Sequence, residues 1–168
     1  MPILRIYDHY RNVHTIDVTL DANACGTPMN GTSLNSQFAS AVGTALLRTT
    51  LGVIFLAHGP YLKLGIFGLD GSIGFFQSLG LPAIAAYLTI AGETLGGLAL
   101  LVGVLVRPAA LGLALISFGS IIAHAGNGWL FSAAGGGWEY PAFLGIACLV
   151  IAVQGAGRFA ISRRGVLN

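Results

Sequence analysis

The sequence predicts an all-α membrane protein, a four-transmembrane-helix antiparallel bundle with a polar N-terminal tail. Three observations carry that expectation. The chain is 55% hydrophobic and only 8% charged, against roughly one-quarter charged residues in soluble domains, so there are too few charges to cover a water-facing surface. A chain of 168 residues has one modest core to fill, and a mean hydropathy of +0.79 leaves apolar residues that need a second apolar medium. Finally, four apolar runs follow one another after residue 41, each close to the ~17–25 residues that cross a bilayer.

The expected plan is a polar, disordered tail over residues 1–40, a membrane domain over 41–159 and a basic C-terminal tail over 160–168. The tail carries Asp8, Asp17 and Asp21 with no apolar stretch, so it does not read as a cleaved secretory signal. Its Cys25-Gly26-Thr27-Pro28-Met29-Asn30-Gly31 cluster has loop chemistry, and Met29 offers an alternative start. The first span is expected from Val42 to Leu62, the second from Ala83 to Val106, the third from Ala109 to Ala125 and the fourth from Tyr140 to Ala156. Each is read as helix because a lipid-exposed backbone must satisfy its own hydrogen bonds.

The linkers differ in kind. Leu64 to Pro82 is glycine-rich, and Ile73, Phe75, Phe76 and Leu79 within it suit a short interfacial helix. Arg107-Pro108 is expected to be a tight hairpin between antiparallel helices. The third linker holds Trp129 and Trp138, residues suited to the headgroup layer. On this plan Arg5, Arg11, Arg107, Arg158, Arg163 and Arg164 share one side and Lys63 stands alone on the other. The positive-inside rule then places both termini of this multi-pass chain in the cytoplasm.

Several classes are excluded. A net charge of +2 with no basic stripe gives no nucleic-acid partner. Cys25 and Cys148 are too far apart in sequence for a redox CxxC motif. No phosphate-cradling GxGxxG, no G-x-S-x-G elbow and no HExxH occurs, and no internal repeat is visible.

An ionisable group at bilayer depth costs ~2.5–3.5 kcal/mol on insertion scales, so each such group is a functional candidate with a partner to be found. Glu93 lies near the middle of the second span, and Arg48 on the first span is its expected ion-pair partner. That pair serves either helix register or binding and proton handling. His58 and His124 end the first and third spans at one expected depth, where Glu139 begins the fourth and Tyr87, Lys63 and Asn127 are near. Such a polar crown is either a satisfied structural layer or a site for a quinone headgroup. A metal held by two histidines and a carboxylate, or a haem between the histidines, are further readings. A di-iron carboxylate site lacks its Glu-x-x-His motif. Gly92, Gly96 and Gly97 around Glu93 read as close helix packing, and Cys148 as a small buried apolar residue.

Residues 46–159 resemble the DoxX family. The resemblance rests on Leu47-Arg48, Gly52, Phe55, His58-Gly59 and Lys63, then Phe75-Phe76 with Leu79-Gly80-Leu81-Pro82. It continues through Glu93, Gly96-Gly97, Leu100-Leu101, Gly103 and Arg107, then His124, Asn127-Gly128, Glu139-Tyr140 and Gly155-Ala156-Gly157-Arg158-Phe159. The chain departs from the family where Ala160-Ile161-Ser162 replaces a Ser-Leu-Asp continuation, and in its long N-terminal extension. The resemblance implies a four-helix membrane bundle in a bacterial plasma (inner) membrane that interacts with quinone, or anchors a redox system to the membrane. It implies no covalently bound cofactor and a redox partner protein, either a sulfurtransferase or a thiol- or superoxide-detoxifying enzyme, and leaves an oligomer open. Any enzymatic role would be as subunit of a membrane quinone-linked oxidoreductase. Arg48, His58, Tyr87, Glu93, His124 and Glu139 are the expected quinone-binding residues, with no catalytic residue or metal ligand assigned. The alternative is a non-enzymatic membrane scaffold or small-solute permease.

Overall fold

The structure, a computed structural model, describes residues 31–162. The chain divides into two compact units, Met1–Leu34 and Asn35–Asn168, and the description concerns the second together with the helix that leads into it. The expected tail over residues 1–30, with Met29, lies outside the described residues, as do Arg163 and Arg164.

Among the described residues every regular element is helical. The order is α1 (Gly31–Leu56), a π-helix (Ala57–Ile66), α2 (Gly68–Ser78), α3 (Ala83–Val102), α4 (Val106–His124), a 3₁₀ turn (Ala125–Asn127) and α5 (Glu139–Gln154). Three stretches are long and apolar enough to cross a membrane: Leu34–Ile66, Ala83–Val102 and Val106–Asn127. The fourth, α5, is apolar but has 16 residues. At 1.5 Å per residue it is ~24 Å long, short of ~30 Å of hydrocarbon. Gly155, at φ +81°, ends it before the expected Ala156.

Three expectations change. Helix α1 starts at Gly31, ten residues before the expected domain boundary at 41, because Leu34, Phe38 and Ala41 already fall at helical spacing among polar residues. The tight turn after α3 is Gly103-Val104-Leu105, with Gly103 and Leu105 in the left-handed region at φ +78° and +51°. Arg107-Pro108 belongs instead to the first turn of α4, where a missing N–H leaves no intrahelical bond unmade. The first span also runs on past Leu62 in a different helical register. Pro60 has no N–H and its ring clashes with the carbonyl of Leu56, the residue at which the α register stops.

Polarity is inverted relative to a soluble protein. Leu88, Leu95, Leu115 and Val153 are 65–77% exposed, whereas Arg48 and Glu93 are buried at 3% and 6%. The core between helices is built from Leu51, Leu100, Leu113, Cys148 and Ile151, and Cys148 is the small buried residue its neighbours led us to expect. Glycines let the helices approach. A Cβ on Gly97 would lie 3.0 Å from the Gly52 carbonyl oxygen, and one on Gly52 2.9 Å from the Gly97 carbonyl oxygen, so α1 and α3 touch backbone to backbone. Gly96 and Gly92 make the same kind of room for Leu113 and Ile116 of α4.

Candidate ligand cavity

The break from α to π register determines where the polar side chains go. In an α-helix five residues turn ~500°, leaving His58 and Lys63 ~140° apart; with i→i+5 pairing they come onto one face. Lys63 Nζ accordingly lies 3.4 Å from the His58 carbonyl oxygen and donates to both carboxylate oxygens of Glu93, at 2.9 and 2.7 Å. Gly59 permits the approach, since its Cβ would lie 3.0 Å from the Cβ of Glu93. Helix α2 braces the segment from outside, with the Ser72 hydroxyl donating to the Lys63 carbonyl at 2.8 Å.

Glu93 is therefore paired with Lys63, not with Arg48 as the sequence suggested. Arg48 donates to the carbonyls of Leu100 and, at 3.0 Å, Leu101, with a longer contact of 3.4 Å to Phe159. It satisfies carbonyls at the C-terminal end of α3, which have no partner within the helix. The backbone after α5 closes over the same turn, Ile161 N donating to Val102 at 3.3 Å and Ser162 N to Gly103 at 3.4 Å.

Above Glu93 lies a cavity of about 520 Å³, within the ~300–1,000 Å³ of ordinary ligand pockets. His58, Lys63, Glu93 and His124 line it, together with Tyr140 and the hydroxyl residues Thr89, Ser117 and Ser120. The rest of its wall is apolar, with Phe75 and Phe76 of α2 on one side and Phe55 and Leu144 among the others. A second cavity of about 370 Å³ shares His58, Lys63, Phe75 and Phe76 with the first, so α2 stands between two hollows.

Of the expected site residues, His58, Glu93 and His124 line one cavity. Glu139 does not: its Oε1 accepts the Phe131 N–H at 2.7 Å, and it lines a separate cavity with Trp129, Phe131 and Phe143. Arg48 belongs to the helix-end cluster described above, and Tyr87 is 46% exposed and absent from the cavity wall. Equal depth along parallel axes says nothing about direction around them, which is why Glu139 and Tyr87 read as neighbours and are not. Asn127 donates to the carbonyls of Gly135 and Gly136 at 3.0 and 2.9 Å, ordering the loop that carries Trp129 against Trp138. Lys63, which the sequence placed in the polar crown but not among the quinone-binding residues, and Tyr140, which was in neither group, also line the cavity. The Gly59-Pro60 pair, where the register changes, is the signal that could have brought Lys63 toward Glu93.

Neither histidine ring is free at Nδ1. His58 Nδ1 lies 2.9 Å from the Ile54 carbonyl oxygen, and His124 Nδ1 lies 3.2 and 3.1 Å from those of Gly135 and Gly136. The His58 ring also packs near Tyr140, with centroids 6.2 Å apart. Among the described residues no three His, Cys, Asp or Glu side chains gather as metal ligands do.

Three membrane-length apolar helices, charges turned inward and a mostly apolar cavity with a polar patch define a small helical protein of membrane type. The chain belongs to the DoxX family, whose model, described as DoxX, matches residues 43–126, half of the sequence. It is similar to the Bacillus subtilis (strain 168) protein called "Putative oxidoreductase CatD", at 42% identity over 90 residues, 53% of this chain and 63% of that protein. The chain thus spans less than two-thirds of that relative's length. No solved structure matches.

Proposed function

We propose that the chain crosses the bacterial inner membrane four times as an antiparallel bundle and serves as the quinone-interacting membrane subunit, or anchor, of a redox system. The observation that carries this reading is the cavity: about 520 Å³ of largely apolar space with His58, His124 and the Lys63–Glu93 pair in its wall. A quinone-type molecule has matching chemistry, a flat ring with two polar positions on an apolar body. The oxidoreductase name of the Bacillus subtilis relative points the same way. A sulfurtransferase, or a thiol- or superoxide-detoxifying enzyme, is the proposed partner.

The test is a titration of the purified protein in detergent with a short-tailed benzoquinone and with its reduced form, beside a melting curve for each variant. Saturable binding is expected. His58→Ala and His124→Ala should each weaken binding of the better-held form by about 1–3 kcal/mol, the cost of a lost polar contact in a desolvated site. A flat titration of well-folded protein with both forms sinks the quinone reading and leaves a scaffold or permease.

Topology is checked separately, in a background lacking Cys25. Gly71 and Ser132 are exposed, and Gly71→Cys or Ser132→Cys should react with an impermeant maleimide in intact cells, while Asn168→Cys should not. Labelling at residue 168 from outside would reverse the cytoplasmic placement of the C-terminus.

A further inference from the structure

Histidine tautomers fix what the cavity asks of its ligand. A carbonyl oxygen only accepts hydrogen bonds, so a ring nitrogen facing one carries the proton. His58 faces the Ile54 carbonyl through Nδ1, and His124 faces those of Gly135 and Gly136 through Nδ1. In both neutral rings Nδ1 is therefore the donor, and the edge left for the cavity carries Nε2 as a bare acceptor.

The other polar groups do not offset this bias. The Lys63 ammonium is spent on Glu93 and the His58 carbonyl, and each Glu93 oxygen, which already accepts from Lys63, can only accept again. Ser117 and Ser120 donate to the Leu113 and Ser117 carbonyls. Hydroxyls such as those of Thr89 and Tyr140 rotate and serve as donor or acceptor alike. The unspent capacity of fixed polarity is all acceptor, the two Nε2 atoms and the remaining lone pairs of Glu93.

A quinone presents two carbonyl acceptors, and its reduced form presents two O–H donors. We infer that the cavity selects the hydroquinone over the quinone, with the Nε2 atoms of His58 and His124 accepting from the ring hydroxyls. The inference rests on the quinone reading above and names the redox form that the site holds. A quinone carbonyl set against an Nε2 lone pair would lose its hydrogen bond to water and gain none.

The experiment titrates the full chain in detergent, without oxygen, at about pH 8, where an ordinary imidazole is neutral. The ligands are one short-tailed benzoquinone and the same molecule reduced. The hydroquinone should bind about tenfold tighter or more, the effect of one mismatched polar contact. His58→Gln and His124→Gln place an amide, both donor and acceptor, in each position, and each should bring the affinity ratio toward one. Nitrogen-15 NMR of labelled histidine reads the protonated nitrogen independently of any ligand, and Nδ1–H is expected for both rings. Equal or reversed affinities, or glutamine variants that keep the full preference, overturn the inference and leave the quinone reading standing. Nε2–H rings overturn it as well. No saturable binding of either form overturns both.

Discussion

Glu93→Gln is expected to destabilise the protein by about 3–5 kcal/mol, the range for a buried ion pair that loses one partner. The effect is expected because Lys63 Nζ, 2.7 Å from the carboxylate on a side chain only 19% exposed, loses its counterion. Lys63→Met should cost a similar amount by the reverse route. The double variant Lys63→Met with Glu93→Leu should recover most of the loss, since well-packed apolar replacements of a buried pair are often neutral. Thermal unfolding in detergent measures all three. By contrast, Arg48→Gln and Glu93→Gln should be additive to within ~0.3–0.5 kcal/mol, as for residues with no shared partner. A coupling above ~1 kcal/mol in that cycle would mean that Arg48 and Glu93 do meet.

The second large effect is expected at Arg48. Its guanidinium donates to the Leu100 and Leu101 carbonyls, and a hydrogen bond to a charged group contributes ~1.5–3 kcal/mol. Arg48→Met leaves those carbonyls without a donor among apolar side chains and should cost about 2–4 kcal/mol on that scale. Arg48→Lys should fall in between, because an ammonium is a point charge that cannot spread over acceptors as a planar fork does. A lysine variant as stable as the original would show that charge alone, not the shape of the guanidinium, holds the helix end.

The membrane-length helices were legible in the sequence because hydrophobic length is written residue by residue, and α3 begins at the expected Ala83. Packing by Gly92, Gly96 and Gly97 was legible too, since small residues beside Glu93 have few other uses in apolar surroundings. Phe75, Phe76 and Leu79 marked a helix that turned out to wall the cavity. The partner of Glu93 was hidden by a register change that Pro60 imposes locally and that a uniform helical wheel does not represent. The partners of Arg48 were hidden for a different reason. They are backbone carbonyls, which every residue has, so no residue type announces them. The convergence of His58 with His124 followed from depth, whereas the divergence of Glu139 depends on the loop between Gly128 and Trp138, where Trp138 N and Glu139 N donate to the Gly128 and Trp129 carbonyls.

The acceptors that surround Arg48 also bear on how the chain is assembled. Its two close acceptors lie 52 and 53 residues downstream, and the Phe159 carbonyl lies 111 downstream. A chain made from its N-terminus presents α1 to the bilayer before any of them exists. On the proposed membrane reading, the newly inserted helix carries a lone cation, at ~2.5–3.5 kcal/mol, until α3 is finished. Its final fastening waits for the last turn of polypeptide beyond α5. The guanidinium thus acts as a latch that closes fully only once the Phe159 carbonyl has been made, and a product truncated before residue 100 would expose that lone charge within its first helix.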